Sequence, residues 1–373
     1  MFAILLVFVP ITLVSSWLKW PLPLQFFLSV AAVIPLAGLI GSATEELANR
    51  LGARTGGLLN ATFGNAPDFL VGLFGVQRGL IPLVKATLIG ALISNSALIM
   101  GLCYISAGLI HGKPKFRRTE AGHHSVLMLL TVAAVLFPSS GAMAICSGTQ
   151  CTDGSAARQV QILSIGISAA LLVAYAGYLV FSIFGVESWR RPRAAAVARK
   201  VAPGTWPTWL SVSLLVAATG LLIPVVDILT ATVGAVTKAL GWTDVFVGIV
   251  IVANAGNAAE AYAAIRAAIG RRGSPGGVGE DSGLDLALGI ASASSIQIAT
   301  FILPLVVLLS LFFHPMTLVF GWVEIAILGL LVLVFNYIAH DGESNWLEGL
   351  QLVVLYAMAA IVIFVLPSTA FGG

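Results

Sequence analysis

Charge is scarce in this chain. Only 9% of its 373 residues are Asp, Glu, Lys or Arg, against roughly 25% in an ordinary soluble protein. Nineteen bases and sixteen acids cannot coat a globule of this size, which excludes a soluble fold. The net charge of +3 is too small and too dispersed for nucleic-acid binding. Cysteine is nearly missing as well, and three residues build no disulfide framework. His/Cys clusters of the kind that hold zinc or copper are also lacking.

Apolar residues fill the space, at 58% of the chain. A bilayer core about 30 Å thick takes about 20 helical residues per crossing. Apolar runs between charged, Pro and Gly punctuation predict an all-α, polytopic membrane protein of about eleven transmembrane helices. These are expected at 2–18, 22–50, 55–77, 80–110, 123–145, 158–185, 206–238, 243–269, 283–311, 316–339 and 345–367. The first run has no basic n-region and no A-x-A-like cleavage site before Pro21, so it is expected to remain as a span.

With eleven spans, alternate loops face opposite sides. Fourteen of the nineteen bases, from Arg50 and Arg54 to Arg271 and Arg272, fall in the loops after helices 2, 4, 6 and 8. Lys19, Arg78, Arg158 and Lys238 fall on the other side, and Lys85 lies inside helix 4. The positive-inside rule then puts the N-terminus in the cytoplasm and the C-terminus outside. The basic linker at 187–205 reads as an ordinary cytoplasmic loop whose Arg and Lys can also meet anionic headgroups.

The chain repeats itself. Gly64-Asn65-Ala66-Pro67-Asp68 matches Gly256-Asn257-Ala258-Ala259-Glu260 at an offset of 192 residues, and each copy is followed by a polar cluster in the next helix. Those clusters are Ser94, Asn95 and Ser96, and Ser292, Ser294, Ser295 and Gln297. The predicted units are an additional helix at 1–20, a five-helix repeat at 21–186, the linker, and a second five-helix repeat at 206–373. Five is odd, so the second repeat enters the membrane inverted, an arrangement common in secondary transporters with a midplane site.

Glu45, Glu46, Asp68, Asp227 and Glu260 fall inside apolar helices. A charge at mid-bilayer costs about 2.5–3.5 kcal/mol on the insertion scale, and Lys85 is the one comparably embedded base. Protons or metal cations must therefore neutralise the set. Asn65 and Asp68 share a helix face, as do Asn257 and Glu260, being three residues apart. Glycine at the head of each motif lets the two helices approach. Oxygen donors of this kind suit a hard cation such as Ca²⁺. Desolvation and a neighbouring carboxylate both disfavour the charged form, so an empty Asp68/Glu260 pair is expected to hold protons until a divalent cation displaces them.

Several stretches carry a family resemblance: ATEELA (43–48), GGLLNATFGNAPD (56–68), VKATLIGALISN (84–95), GNAAE (256–260), SSIQIA (294–299) and DGESNWLEGLQL (341–352). Together they resemble the Ca²⁺/H⁺ exchangers, the CAX branch of the Ca²⁺:cation antiporter superfamily. The resemblance implies antiport of cytosolic Ca²⁺ against H⁺ by alternating access, with no resident cofactor and no enzymatic chemistry. It implies cation binding by Asp68 and Glu260, with supporting ligands around Gly64 and Gly256 and from Ser294 and Gln297. By the same likeness helices 2 and 7 slide, and Glu45, Glu46 and Asp227 serve as proton-path acids. The chain departs from the family pattern with Pro67-Asp68 in place of a Thr-Glu type pair and with Ala261 where His is common. Pro67 is expected to kink its helix and free the carbonyl of Phe63. A site of altered geometry and ion preference follows.

Other readings stay open. The same oxygen cage serves an exchanger driven by Na⁺ or K⁺, or one preferring Mn²⁺. A passive channel is distinguished by the lack of proton-coupled counterflow. An intramembrane aspartyl protease using Asp68 and Asp227 lacks the expected G-x-G-D surroundings. Cys146 and Cys151, on the outer 5/6 loop, form either a small disulfide or two free thiols; Cys103 reads as packing. His111, His123 and His124 flank the 4/5 loop as interfacial residues or pH sensors. Trp17, Trp20, Trp206, Trp209 and Trp346 read as interfacial anchors. The expected setting is a prokaryotic cytoplasmic membrane, with inorganic cations and lipid as partners and a homo-oligomer compatible with the sequence.

Overall fold

The computed structural model describes residues 2–51, 59, 62–116, 118–146, 154–184, 206–270, 283–339 and 342–367. The linker at 187–205, Cys151 and the side chains of His123 and His124 lie outside the described residues. Among the described residues there is no β-strand, only an isolated bridge between Lys115 and Glu343. The helices are α1 (Phe8–Trp17), α2 (Leu22–Leu51), α3 (Ala66–Gln77), α4 (Ile81–His111), α5 (Arg118–Ile145) and α6 (Gly154–Phe184), followed by α7 (Thr208–Leu240), α8 (Asp244–Gly270), α9 (Gly283–Ser310), α10 (Trp322–Ala339) and α11 (Trp346–Val365). Eight of them, among the described residues, are long and apolar enough to cross a membrane. Trp17, Trp20, Trp209 and Trp346 are exposed near helix ends, as interfacial anchors would be.

Apolar periodicity sorts the helices into two packed bodies. Leu36, Ile40, Ala43 and Leu47 of α2 face Leu222, Val225, Leu229 and Val233 of α7, and the spacing of about one helical turn keeps each set on one stripe. A second core joins α4, α5, α8, α9, α10 and α11. Within it α4 and α8 cross at backbone distance. A Cβ on Gly90 would stand 2.5 Å from the Ile249 Cα, so only glycine permits the approach.

Two predicted helices depart from expectation. The third was expected continuous over 55–77 with a kink at Pro67. Leu59, Thr62 and Phe63 are helical, but Gly64 and Asn65 form a turn that interrupts the run, and α3 starts anew at Ala66 with Pro67 in its first turn. A proline there loses no hydrogen bond, because the first helical N–H groups lack intrahelical partners anyway. The tenth was expected from 316, yet 311–321 is non-helical and α10 starts at Trp322. Pro315 biases His314 away from helix, and side chains both flanking and remote supply the hydrogen bonds. Met316 N donates to Ser310 Oγ at 2.8 Å, Leu318 N to Ser164 Oγ at 3.1 Å, Phe320 N to Ser139 Oγ at 2.9 Å and Gly321 N to Glu324 Oε2 at 2.8 Å. Lys85 Nζ donates to the Val319 carbonyl at 2.8 Å. Irregular backbone survives inside a membrane bundle only when satisfied in this way. Glu324, which falls inside the span predicted at 316–339 but in the first turn of α10, is 3% exposed and acts electrostatically on Lys85.

Cys146 is disulfide-bonded and Cys103 is a buried free thiol; the chain's other cysteine is Cys151.

Candidate cation site

Asp68 occupies the first turn of α3 and is 3% exposed. A carboxylate is favoured there by the unpaired N–H groups and dipole of the helix start. This corrects the expectation of a mid-helix acid. Glu260 does lie within a helix, on α8, and its Oε2 is buried and accepts no hydrogen bond. The charged neighbour of Asp68 is Glu260.

The first residue of the second motif makes room for the acid of the first. A Cβ on Gly256 would stand 3.2 Å from Asp68 Oδ1 and 3.7 Å from Pro67 Cβ. Gly256 and Glu260 are four residues apart, hence on one face of α8 and separated by about 6 Å along its axis. Asp68 therefore reaches α8 one turn before Glu260. Among the described residues no three His, Cys, Asp or Glu side chains converge, so further ligands would be neutral oxygens.

Those oxygens form a buried belt. Asn257 Nδ2 donates to Asn95 Oδ1 at 3.2 Å, Asn95 Nδ2 to Ser294 Oγ at 3.1 Å, Ser294 Oγ to Asn65 Oδ1 at 3.2 Å and Asn65 Nδ2 to Gln297 Oε1 at 2.7 Å. The Ser294 hydroxyl also faces Glu260. A branch leaves the belt beside Asn257: Ser94 Oγ donates to Asn254 Oδ1 at 2.7 Å and Asn254 Nδ2 to Tyr356 Oη at 2.5 Å. Ser94 and Asn95 can both point inward because α4 widens into a π turn over Ser94–Ile99, a distortion common at functional sites.

The structure brings Asp68, Glu260, Gly256, Asn65, Asn257, Ser294 and Gln297 together, and Gly64 lies in the turn before α3. The belt engages Asn65 Oδ1 with Ser294, so this amide oxygen is not free as expected. Glu45 is exposed and Glu46 half-buried on the last turns of α2, where Glu46 Oε2 lies 3.5 Å from Trp206 N. Asp227 was expected to lack a base. Arg78 supplies one, reaching from the end of α3 to Asp227 Oδ1 at 2.7 Å and to Thr230 Oγ1 at 3.1 Å. That is ten residues beyond Asp68, about 15 Å along the helix. Hydropathy had set Arg78 aside as a loop residue. Asn95 had been noted only as part of a polar cluster, and Tyr356, a lone tyrosine in an apolar helix, gave no signal.

Fold and site define a polytopic, all-helical membrane protein with a buried pair of carboxylates carried by helices from the two halves of the chain. It belongs to the family described as sodium/calcium exchanger protein, whose sequence model matches residues 21–184 and 210–365. The chain is similar to the Ca²⁺/H⁺ antiporter ChaA of Bacillus subtilis, at 33% identity over 96% of this chain and 97% of the relative. It is similar to a Ca²⁺/H⁺ antiporter of Synechocystis, at 33% identity over 98% of each. The solved structure of native YfkE covers 98% of this chain and all of its own, with 31% identity and a TM-score of 0.80. The H⁺/Ca²⁺ exchanger CAX, 14% identical over 97% of this chain and 92% of its own, shares the fold at a TM-score of 0.69.

Proposed function

We propose that this protein is a secondary active antiporter that exchanges cytosolic Ca²⁺, or a related hard cation, for protons by alternating access at Asp68 and Glu260. The observation that carries the reading is the seat of Asp68 against Gly256, one turn from a Glu260 whose Oε2 is buried without a partner. Two carboxylates with no base paired to them among the described residues need compensating charge in a bilayer. Two protons supply it, and so does one divalent cation. The doubly charged empty site is costly to desolvate, so passage through the membrane is restricted to the loaded forms, and that restriction couples the two fluxes. The names of the relatives, Ca²⁺/H⁺ antiporters from two bacteria, support this assignment.

The two ranges matched by the family model fall on the two proposed five-helix units, which supports a repeat at 21–186 and 206–373 behind the helix at 1–20; the odd number of helices per unit is what makes it inverted. We place the N-terminus in the cytoplasm of a prokaryotic cell and the C-terminus outside. Glu45 and Glu46, at the cytoplasmic end of α2, are assigned to proton entry. Asp227, expected on the same path, is assigned instead to its ion pair with Arg78, which ties α7 to the end of α3.

The test is Ca²⁺ uptake into proteoliposomes under an imposed pH gradient alone, then under a Na⁺ or K⁺ gradient alone. Uptake driven by the pH gradient and abolished by Asp68→Asn or Glu260→Gln is expected. Uptake that needs Na⁺ or K⁺, or that Mn²⁺ outcompetes, would move the assignment to another exchanger of the same fold.

A further inference from the structure

The two motif amides are held in different ways. Asn65 is engaged at both ends, with Nδ2 donating to Gln297 and Oδ1 accepting from Ser294. Asn257 is engaged at one. Its Nδ2 donates to Asn95 Oδ1 at 3.2 Å and, at 3.4 Å, to the Ala91 carbonyl, while its Oδ1 accepts from no described residue. A carboxamide has a donor end and an acceptor end, so fixing one determines where the other goes.

We propose that Asn95 is a positioning residue for the cation: by taking the NH₂ end of Asn257 it turns the Asn257 carbonyl oxygen outward as the amide ligand, while Asn65 serves the belt alone. The inference rests on Asp68 and Glu260 being the cation site and adds which of the two motif amides completes it. Asn95 belongs to neither motif. It is fully buried on α4 and presented by the π turn. Its own amide cannot turn over without breaking two contacts, because Nδ2 is committed to Ser294 at 3.1 Å. The donors run in one direction, from Asn257 through Asn95, Ser294 and Asn65 to Gln297. Such chains reinforce each member's orientation. A hard cation gains most from an oxygen already aimed at it, since no reorganisation accompanies binding.

The experiment is a double-substitution cycle on the full chain, read by equilibrium binding of radiolabelled Ca²⁺ to the purified protein and by the KM and maximal rate of uptake. Asn95→Leu is expected to weaken binding and raise KM about tenfold, the scale of one lost oriented hydrogen bond, with a much smaller change in maximal rate. Asn257→Ala is expected to do the same. The double variant should bind no more weakly than Asn257→Ala alone, because Asn95 acts through Asn257. Asn95→Asp, which keeps an acceptor for the Asn257 amide, should bind more tightly than Asn95→Leu. Thermal melting in detergent checks folding, and Asn95→Ala takes the place of Asn95→Leu in the cycle if the latter does not fold. An unchanged KM for the Asn95 variant, or losses that multiply in the double variant, would overturn the proposal. Absence of Ca²⁺ binding by the unsubstituted protein would instead count against the cation site itself.

Discussion

Asp68 Oδ1 lies 3.2 Å from the position a Cβ would take on Gly256, so the carboxylate of the first motif rests on the bare backbone of the second. The contact joins the two halves of the chain at the point where the acids meet. It also gives glycine at 256 a task that follows from geometry: no other residue leaves that volume empty.

Gly256→Ala should therefore push the Asp68 carboxylate by a few tenths of an ångström and raise the KM for Ca²⁺ several-fold, with Gly256→Val more severe. Uptake assays across a Ca²⁺ series check this. An Ala variant with unchanged KM would mean that Asp68 does not use this seat to bind the ion.

Asp68→Glu adds one methylene to a side chain already lying against α8. The longer acid should shift the balance among Ca²⁺, Sr²⁺ and Mn²⁺, cations that differ in size and coordination. Competition of each with labelled Ca²⁺ is the measurement, and an identical competition series would argue against Asp68 as a ligand.

Lys85 and Glu324 sit inside the bundle, 6% and 3% exposed. Lys85→Met strands a buried carboxylate and removes the donor to the Val319 carbonyl. Leaving a buried carbonyl without its donor and a buried acid with less compensating charge costs about 1–3 kcal/mol, so the melting temperature in detergent should fall by several degrees. Lys85→Met with Glu324→Leu should recover only part of that loss, because it removes the uncompensated charge but leaves the Val319 carbonyl and the Gly321 N–H without their side-chain partners.

Arg78 and Asp227 differ in kind. Their side chains are 32% and 46% exposed, and ion pairs of that exposure contribute roughly 0–1 kcal/mol. Arg78→Gln should change stability little. The Arg78→Asp/Asp227→Arg exchange should melt within about 1 kcal/mol of the starting protein, closer to it than either single reversal, with differences that shrink in high salt.

Much of this was legible from residue order. Apolar run length placed most helices within a few residues, because a lipid-facing helix must be apolar over its whole crossing. The match of GNAPD to GNAAE brought Asp68 and Glu260 together before any coordinates did. What escaped was supplied from far along the chain. Residues 311–321 are as apolar as a helix start, and only the hydroxyls of Ser139 and Ser164 reveal that their N–H groups bond elsewhere. Arg78 follows a helix end and looks solvent-facing until α7 is laid beside it. Asn95 reads as one polar residue among serines; its value lies in which atom of Asn257 it holds.

The 311–321 segment bears on how the protein is made. Its N–H groups are met by Ser139 from α5, Ser164 from α6 and Glu324 from the helix that follows, and one of its carbonyls by Lys85 from α4. A growing chain cannot offer all of these at once. Until α4, α5 and α6 have gathered and α10 has arrived, the segment must find its hydrogen bonds in a longer helix or in water, since lipid provides none. Its final shape is thus reached only after those helices have assembled around it.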